Sequence, residues 1–447
     1  MAPMIRFVGL LLANLFALLG VYADDWFQPE TGDLVVWAGD SITHQCGYTQ
    51  YLENFLYTRF HDKRLRFANA GIKGDAAADL LDRFDQDIAW REPRWVTILL
   101  GMNDGRYGPF DADNFAAYQT GVGGAIDRIE ALGAQAILMS PTMFDHEQYQ
   151  RRFNDSDFRF ARLNAYAGYN DKLIRYGDWL RTVANQREAP FIDIGDAMLI
   201  ETMRRRRDEP GFTLSPDSIH PDPSGMALMA VEMAQSFAGD RSLVNRVVVD
   251  LHSNGEVQTE GEVVVDRFAD ARLTATITPR YLPWAIPASG FIGPEPWKYM
   301  DDPSQGFRAA LQRIPINDDL LVVRGLPRGS YQVRMNGLIV LTASDQQLSE
   351  GVYLQDKMNA PGYRQSLKLA ELNALRNDRA VRPYRDLQGR LKSVRRREGS
   401  DSDAFRAALE SVRNEMKPLQ DYAKALEDRI HSLAEPKAYR LEIRPSN

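Results

Sequence analysis

Four short stretches, far apart in the chain, hold residue types that together could run nucleophilic acyl chemistry: Gly39-Asp40-Ser41-Ile42-Thr43, Gly71, Gly101-Met102-Asn103-Asp104 and Asp217-Ser218-Ile219-His220-Pro221. Ser41 is the candidate nucleophile. A serine hydroxyl is weak at neutral pH and needs a base within hydrogen-bond reach. His220 is the candidate base. Asp217, in the same stretch, can orient one ring nitrogen while the other faces Ser41. The backbone N–H of Ser41, Gly71 and the side-chain amide of Asn103 are candidate donors to a developing oxyanion. Gly71 has no side chain to block close approach. Asp104 reads as a support for its own loop, not as a reacting group.

Each residue alone has a plainer reading: Ser41 a helix cap, Gly71 a turn glycine, Asn103 a loop cap, His220 a hydrogen-bonded loop residue. The case rests on the four together, in order, at strand ends. Among the six histidines, His44 is close to Ser41 but has no orienting carboxylate at a comparable spacing. His146 follows Asp145 and could touch substrate, while His61, His252 and His431 read as surface residues. The histidines do not cluster at ligand spacing and Cys46 is the only cysteine, so no metal or other cofactor and no intramolecular disulfide is expected. Cys46 itself reads as a small buried hydrophobe.

The elements that must position these residues can be read from hydrophobic runs. Leu34–Ala38, Leu65–Asn69, Trp95–Leu100, Ala136–Met139 and Phe191–Ile194 read as strands, separated by helix-length stretches at 47–60, 76–90, 113–132 and 161–184. Near-continuous apolar strands alternating with helices predict an α/β fold, a parallel sheet covered by helices on both faces. The strands' carboxyl ends then share one edge, where ligands bind. Pro223 can open a helix after the His220 loop.

After about residue 240 the pattern changes. Strand-like runs recur through residue 341, and Asn336-Gly337 marks a tight hairpin turn. This predicts a small antiparallel β module over 241–360, with an irregular Pro-, Trp- and Gly-rich loop at 281–303. Residues 361–447 predict a pair of antiparallel helices, with Pro383 near a kink or break, and a final strand at 439–443 that can rejoin the β module. The basic clusters Arg204–Arg207 and Arg395–Arg397 read as solvated helix faces.

The four blocks resemble those of the SGNH (GDSL-type) serine hydrolases, over roughly residues 33–238. That resemblance implies a flavodoxin-like three-layer α/β/α sandwich and metal-independent ester hydrolysis through an acyl-enzyme. It assigns Ser41, Gly71, Asn103 and His220 the defining roles, with Asp217 completing the triad. The region beyond about residue 245 is similar to the extra β-plus-helix part of some exported bacterial members.

Composition narrows the partners. A formal net charge of −7 with no large basic stripe in the first 240 residues makes nucleic acid a poor partner. Residues 1–23 carry one positive charge, an apolar run and Val21-Tyr22-Ala23, the pattern of a secretory signal cut after Ala23. An uncleaved anchor is the alternative. The expected protein is thus secreted or periplasmic, without stable membrane insertion after cleavage. Its expected function is carbohydrate O-deacetylation or hydrolysis of another small ester. Trp284 and Trp297 are candidates for stacking on a sugar, or for plain packing. The alternatives are a lysophospholipase or other lipid- or thioester-directed hydrolase, which needs an apolar acyl channel, and a non-catalytic scaffold.

Overall fold

The computed structural model describes residues 25–252, 256–286 and 305–446. The proposed signal segment 1–23 and Trp297 lie outside them. Five strands, β1 (Leu34–Gly39), β2 (Arg66–Gly71), β3 (Trp95–Leu99), β4 (Gln135–Met139) and β5 (Phe191–Ile192), form one parallel sheet in the order β2-β1-β3-β4-β5. Side chains of a strand alternate between faces, and here both faces are apolar. Val35, Trp37, Trp95, Leu99, Ile137 and Met139 enter one core with helices α1 (Gly47–Arg59) and Pro223–Ala238. Val36, Ala38, Val96, Ile98 and Leu138 enter a second core with α2 (Ala112–Ala131) and α3 (Tyr169–Arg187). That two-sided burial is why these strands read as continuous hydrophobic runs, and it gives the three-layer α/β/α arrangement.

Local capping decides several boundaries. The fifth strand stops at Ile192 because the Asp193 side chain accepts from Asp196 N–H and starts helix α4 (Ile194–Arg205), two residues before the expected strand end. The expected helix 76–90 is broken into Ala77–Asp82, Phe84–Asp87 and a 3-10 turn. Between the first two pieces Arg83 turns inward to Asp75, Asp87 and the Ala70 carbonyl. Asp222 caps helix α5 (Pro223–Ala238), with Pro223 in its first turn.

The remaining strands are β6 (Asn245–Leu251), β7 (Val257–Glu260), β8 (Val263–Ala269), β9 (Arg272–Ile277), β10 (Asp319–Arg324), β11 (Ser330–Met335), β12 (Leu338–Ser344), β13 (Val352–Tyr353) and β14 (Tyr439–Pro445). They build a four-stranded sheet, β13-β10-β6-β7, and a five-stranded one, β12-β11-β14-β9-β8. A shared core of Val249, Leu273, Ile277, Val323, Val333, Leu441 and their neighbours is buried with both. All pairs are antiparallel except β6 with β10, which is parallel. The long stretch between those two strands brings the chain back to re-enter beside β6 in the same direction. Asn336 and Gly337 both take positive φ at the β11–β12 turn. The helical region runs α6 (Pro361–Arg376), a π turn at Asn377–Val381, α7 (Arg382–Glu398) and α8 (Asp403–Ala434). Pro383 therefore sits just past a widened turn.

Candidate active site

Gly39 ends β1 and Asp40 caps the short helix Ser41–His44, its Oδ1 accepting from Ile42 N–H at 2.9 Å. Ser41 thus stands two residues beyond the strand's carboxyl end, at the first position of the short helix. The loop before α5 delivers the other two groups. Asp217 Oδ1 accepts from the backbone N–H of Ile219 (3.1 Å) and of His220 (2.7 Å), folding the loop on its own side chain. Asp217 Oδ2 lies 2.8 Å from His220 Nδ1, and His220 Nε2 lies 2.8 Å from Ser41 Oγ. Ser41 and the Asp217–His220 loop, 179 residues apart from serine to histidine, form one hydrogen-bonded chain. Burial acts to raise the Asp217 carboxyl, but His220 and the two backbone N–H groups outweigh it, and the net shift is downward. Asp217 therefore stays a carboxylate, able to accept from Nδ1–H and leave Nε2 free to take a proton. Ser218, inside this loop, holds φ +74°.

Asn103 follows β3 and its amide reaches Asp40, the residue before Ser41. Its Nδ2 donates to the Asp75 carbonyl (3.0 Å) and to Asp40 Oδ2 (3.3 Å), and its Oδ1 accepts from Tyr107 OH (3.3 Å). Burial pushes Asp40 up to about 7 against the pull of Ile42 N–H and His220. Asp104 accepts from Ala77 N–H (2.8 Å) and Gly101 N–H (3.0 Å), tying the loops after β2 and β3 together, and burial raises it to about 6. It supports the site and does not enter it.

Gly71 has another job than the one read from sequence. Its N–H donates to Asn69 Oδ1 (2.8 Å) and its carbonyl accepts from Arg385 Nε (3.0 Å), so neither is left for a substrate. A Cβ on Gly71 would stand 2.4 Å from the His44 nitrogen; the glycine lets β2 pass the helix that carries Ser41. Three residues on, Gly74 is exposed, has φ +69° and has nothing within 4 Å of a would-be Cβ. Among the described hydrogen bonds of this loop, Ile72 donates to Gly39 O and Asp75 to Ile72 O, whereas the N–H groups of Lys73 and Gly74 have no acceptor. The Ser41 N–H is likewise unspent among them. The signal for Gly74 was present in Gly71-Ile72-Lys73-Gly74, where two glycines compete and only hydrogen bonding tells them apart.

The other histidines sort by environment. His44 does have a carboxylate partner: Asp386 of α7 lies 3.1 Å from its Nε2, from 342 residues away. Burial nevertheless lowers its pKa. Asp145 beside His146 is taken by Arg206, Thr213 and the Gln148 N–H, leaving nothing to orient that ring. His431 is buried, packed edge-on against Tyr57 and depressed to about 4 by burial and Arg64, where a surface position was expected. Cys46 is buried and its thiol is pushed up to about 12 by that burial. Trp284 is also buried, donating from Nε1 to the Tyr51 carbonyl and packed on Phe55, so it is no platform for a sugar ring. Among the described residues no group of three or more His, Cys, Asp or Glu side chains could hold a metal ion, and no helix is long and apolar enough to cross a membrane.

The wall beyond the triad is aromatic. The Phe160 ring lies 5.8 Å from that of His220 and carries the Arg159 guanidinium on its face at 4.5 Å. Arg159 also approaches Asp217 Oδ2 at 3.5 Å. Tyr107, Phe144, Tyr149 and Tyr169 pack into one cluster with Met102 and Ile219, and the Tyr169 hydroxyl donates to the Met102 carbonyl. Sequence reasoning singled out none of these aromatics.

Residues 38–228 match the model of the GDSL-like Lipase/Acylhydrolase family. An acetylxylan esterase of Geobacillus stearothermophilus is 30% identical over 90 residues, 17% of this chain and 41% of that protein, so the match spans about two fifths of the relative's length. The crystal structure of Axe2, an acetylxylan esterase from the same organism, aligns with 46% of this chain and 95% of its own at 22% identity and a TM-score of 0.36. The structure of a gut microbial diltiazem-metabolizing enzyme aligns with 95% of this chain and 100% of its own at 21% identity and a TM-score of 0.77; the β sheets and helices after residue 240 thus belong to a fold found elsewhere. The chain carries, over residues 38–228, a hydrolase domain of the GDSL-like lipase/acylhydrolase (SGNH) family.

Proposed function

We propose that the protein is an exported serine esterase that removes short acyl groups, acetyl first among them, from carbohydrates through an acyl-enzyme on Ser41. The observation that carries this reading is the unbroken chain Ser41 Oγ–His220 Nε2–Asp217, with 2.8 Å at each link to the imidazole. Ser41 Oγ attacks the ester carbonyl as its proton passes to Nε2. The Ser41 and Gly74 N–H groups receive the oxyanion, joined by Asn103 Nδ2 as its longer bond, 3.3 Å to Asp40 Oδ2, is exchanged for the substrate oxygen. His220 then gives the proton to the departing alcohol oxygen. Water repeats the sequence at the acyl-enzyme, releasing the acid and restoring Ser41. Atoms balance without a cofactor.

The short acyl group is supported by how the site is filled. Phe144 and Tyr169 are fully buried in the cluster that holds Met102 and Ile219, the chain neighbours of Asn103 and His220, so a long chain entering there would have to displace packed rings. A polar alcohol is supported by the charged rim of Arg159, Lys73 and Asp386, each with a side chain 60% exposed. The charge-then-apolar pattern of residues 1–23 supports export. The test is acetate release from a panel of acetylated oligosaccharides and polysaccharides by wild type and Ser41→Ala. Release by wild type alone is the expected result. Cleavage of short aryl esters without acetate release would move the substrate to lipids or other acyl groups. No cleavage of either would refute the esterase reading.

A further inference from the structure

Helix α7 lies against the loop that follows β2. Arg385, Lys392 and Arg396 are spaced seven and four residues apart, which puts them on one helix face. Arg385 holds the Gly71 carbonyl, Arg396 pairs with Asp79, and Asp386 takes Lys73 at 3.2 Å. Lys392 makes three contacts with the loop itself. Its ammonium is 2.6 Å from Asp75 Oδ1, 2.9 Å from the Gly74 carbonyl and 3.4 Å from the Lys73 carbonyl, and the residue is 9% exposed. Three acceptors match the three protons of the ammonium. Arg83 Nε holds the other Asp75 oxygen at 2.8 Å, and Asn103 Nδ2 donates to the Asp75 carbonyl.

The Lys73 carbonyl and the Gly74 N–H belong to one trans peptide, so they point in opposite directions. A cation on the carbonyl side turns the N–H away from α7. It also polarises the amide, making the N–H a stronger donor, as linked hydrogen bonds do. Gly74 is exposed, holds a left-handed conformation and has no Cβ to resist rotation, and no other described hydrogen bond engages that peptide. We infer that Lys392, contributed by the C-terminal helices, is a positioning residue of the oxyanion hole, acting through the Lys73–Gly74 peptide. This rests on the esterase reading above. It makes the region beyond residue 360 a working part of the active site rather than an appendage.

The experiment compares wild type, Lys392→Met, Lys392→Arg and Arg396→Gln in three measurements: kcat and KM on p-nitrophenyl acetate, the rate of Ser41 labelling by a fluorophosphonate, and thermal unfolding. Removing a whole oxyanion donor costs about 10²–10³ in kcat. Losing its support should cost Lys392→Met about tenfold, with KM within about twofold and labelling slowed by the same factor as kcat. Lys392→Arg keeps the charge and should recover most of the loss. Arg396→Gln breaks another contact of the same helix to the same segment and should keep wild-type kcat. If Lys392→Met does not fold, Lys392→Gln takes its place. Wild-type kcat and labelling in the Met or Gln variant overturn the inference, as does a loss confined to KM or one shared equally by Arg396→Gln. A wild type that neither labels at Ser41 nor cleaves the ester refutes the esterase reading and takes the role of Lys392 with it.

Discussion

Asp217→Asn is nearly isosteric, yet the structure predicts that it damages the site more than Asp217→Ala. The wild-type carboxylate accepts two backbone N–H bonds at Oδ1 and the His220 Nδ1–H at Oδ2. Asparagine has one oxygen to offer. Placed at the Oδ1 position, that oxygen satisfies Ile219 and His220 N–H, and the amide NH2 then faces Nδ1. Nδ1 must become the acceptor, the ring proton moves to Nε2, and Nε2 can no longer take the Ser41 proton. The opposite amide flip keeps the correct tautomer but sets NH2 against two buried N–H donors. Each buried group left unpaired costs about 1–3 kcal/mol, so the productive flip lies about 2–6 kcal/mol higher. At a middle value of about 4 kcal/mol, roughly one molecule in 10³ is competent. Arg159, exposed and 3.5 Å from Oδ2, can swing aside and changes this little. With alanine the vacated space admits water, which accepts from Nδ1–H, so the useful tautomer survives. The assay is kcat on a short aryl ester for wild type, Asp217→Asn and Asp217→Ala, with thermal unfolding as the folding check. The expected order is wild type, then alanine, then asparagine, the last down by about 10³ or more. Asparagine activity within about tenfold of wild type, or above alanine, would refute the tautomer argument.

Gly71→Ala should unfold or destabilise the protein by about 1–3 kcal/mol or more, since its Cβ meets backbone 2.4 Å away; Gly74→Ala should cost about 1 kcal/mol of stability through its φ of +69° but lower kcat more than tenfold. Urea unfolding beside kcat measurements separates the two glycines, and equal kcat loss per unit of stability lost would remove the distinction. Arg385→Met strips one partner from buried Asp87, which keeps Arg83, and should cost about 3 kcal/mol in urea unfolding. Burial acts to raise Asp87, but Arg385 and Arg83 outweigh it and hold the carboxyl at about 2, so its stabilisation is complete above the ordinary carboxyl range and is lost as pH falls from about 4 through about 2. The variant should therefore begin acid unfolding at higher pH; an unchanged acid limb would refute the coupling. Trp284→Ala should cost about 3–5 kcal/mol in stability while leaving KM for an acetylated sugar within about twofold. A large rise in KM at wild-type stability would return Trp284 to the substrate.

What was legible in the sequence follows from how local each signal is. The parallel sheet was readable because both its faces are apolar, so β1 to β4 stand out as runs. The triad was readable because Ser41 and the Asp217–His220 loop each announce themselves within a few residues. Gly71 was read as the donor, with Gly74 not considered, because glycine identity says nothing about whether its N–H is already spent on Asn69. The helix over 76–90 was misread because its break is made by Arg83 reaching Asp75 and the Ala70 carbonyl, contacts no periodicity reports. The Asp386 partner of His44 and the Lys392 clasp come from more than 300 residues away, beyond the reach of any spacing argument. The Arg204–Arg207 run looked solvated; Arg206 instead turns in to Asp145, while Arg204 and Arg205 pair with Glu201 and Glu209.

The same long-range chemistry explains why the helices pack where they do. β2 is an edge strand, with one row of backbone groups unpaired by any neighbouring strand. The Phe67 N–H donates to Glu427 Oε1 of α8 at 3.3 Å, and the Phe67 carbonyl accepts from Arg376 of α6 at 2.5 Å. Side chains thus stand in for the missing strand. The arrangement buries charge, which is costly unless every group is satisfied. Glu53 accepts from Trp37, Asn373, Arg376 and Asn377, and Glu427 also takes the Tyr57 hydroxyl at 2.8 Å. Asn377 opens the π turn, so the irregular turn lies where the helix meets Glu53. Leu369, Ile430 and Ala434 join Trp37, Phe55 and Phe67 in one core. The composition shifts near residues 240 and 360 therefore mark changes of architecture, while the packing runs across them. A sheet edge closed by helices also fixes α7 over the loop after β2. Edge protection and the clasp on Gly74 then arise from the same docking, and a change that loosens one should be felt at the other.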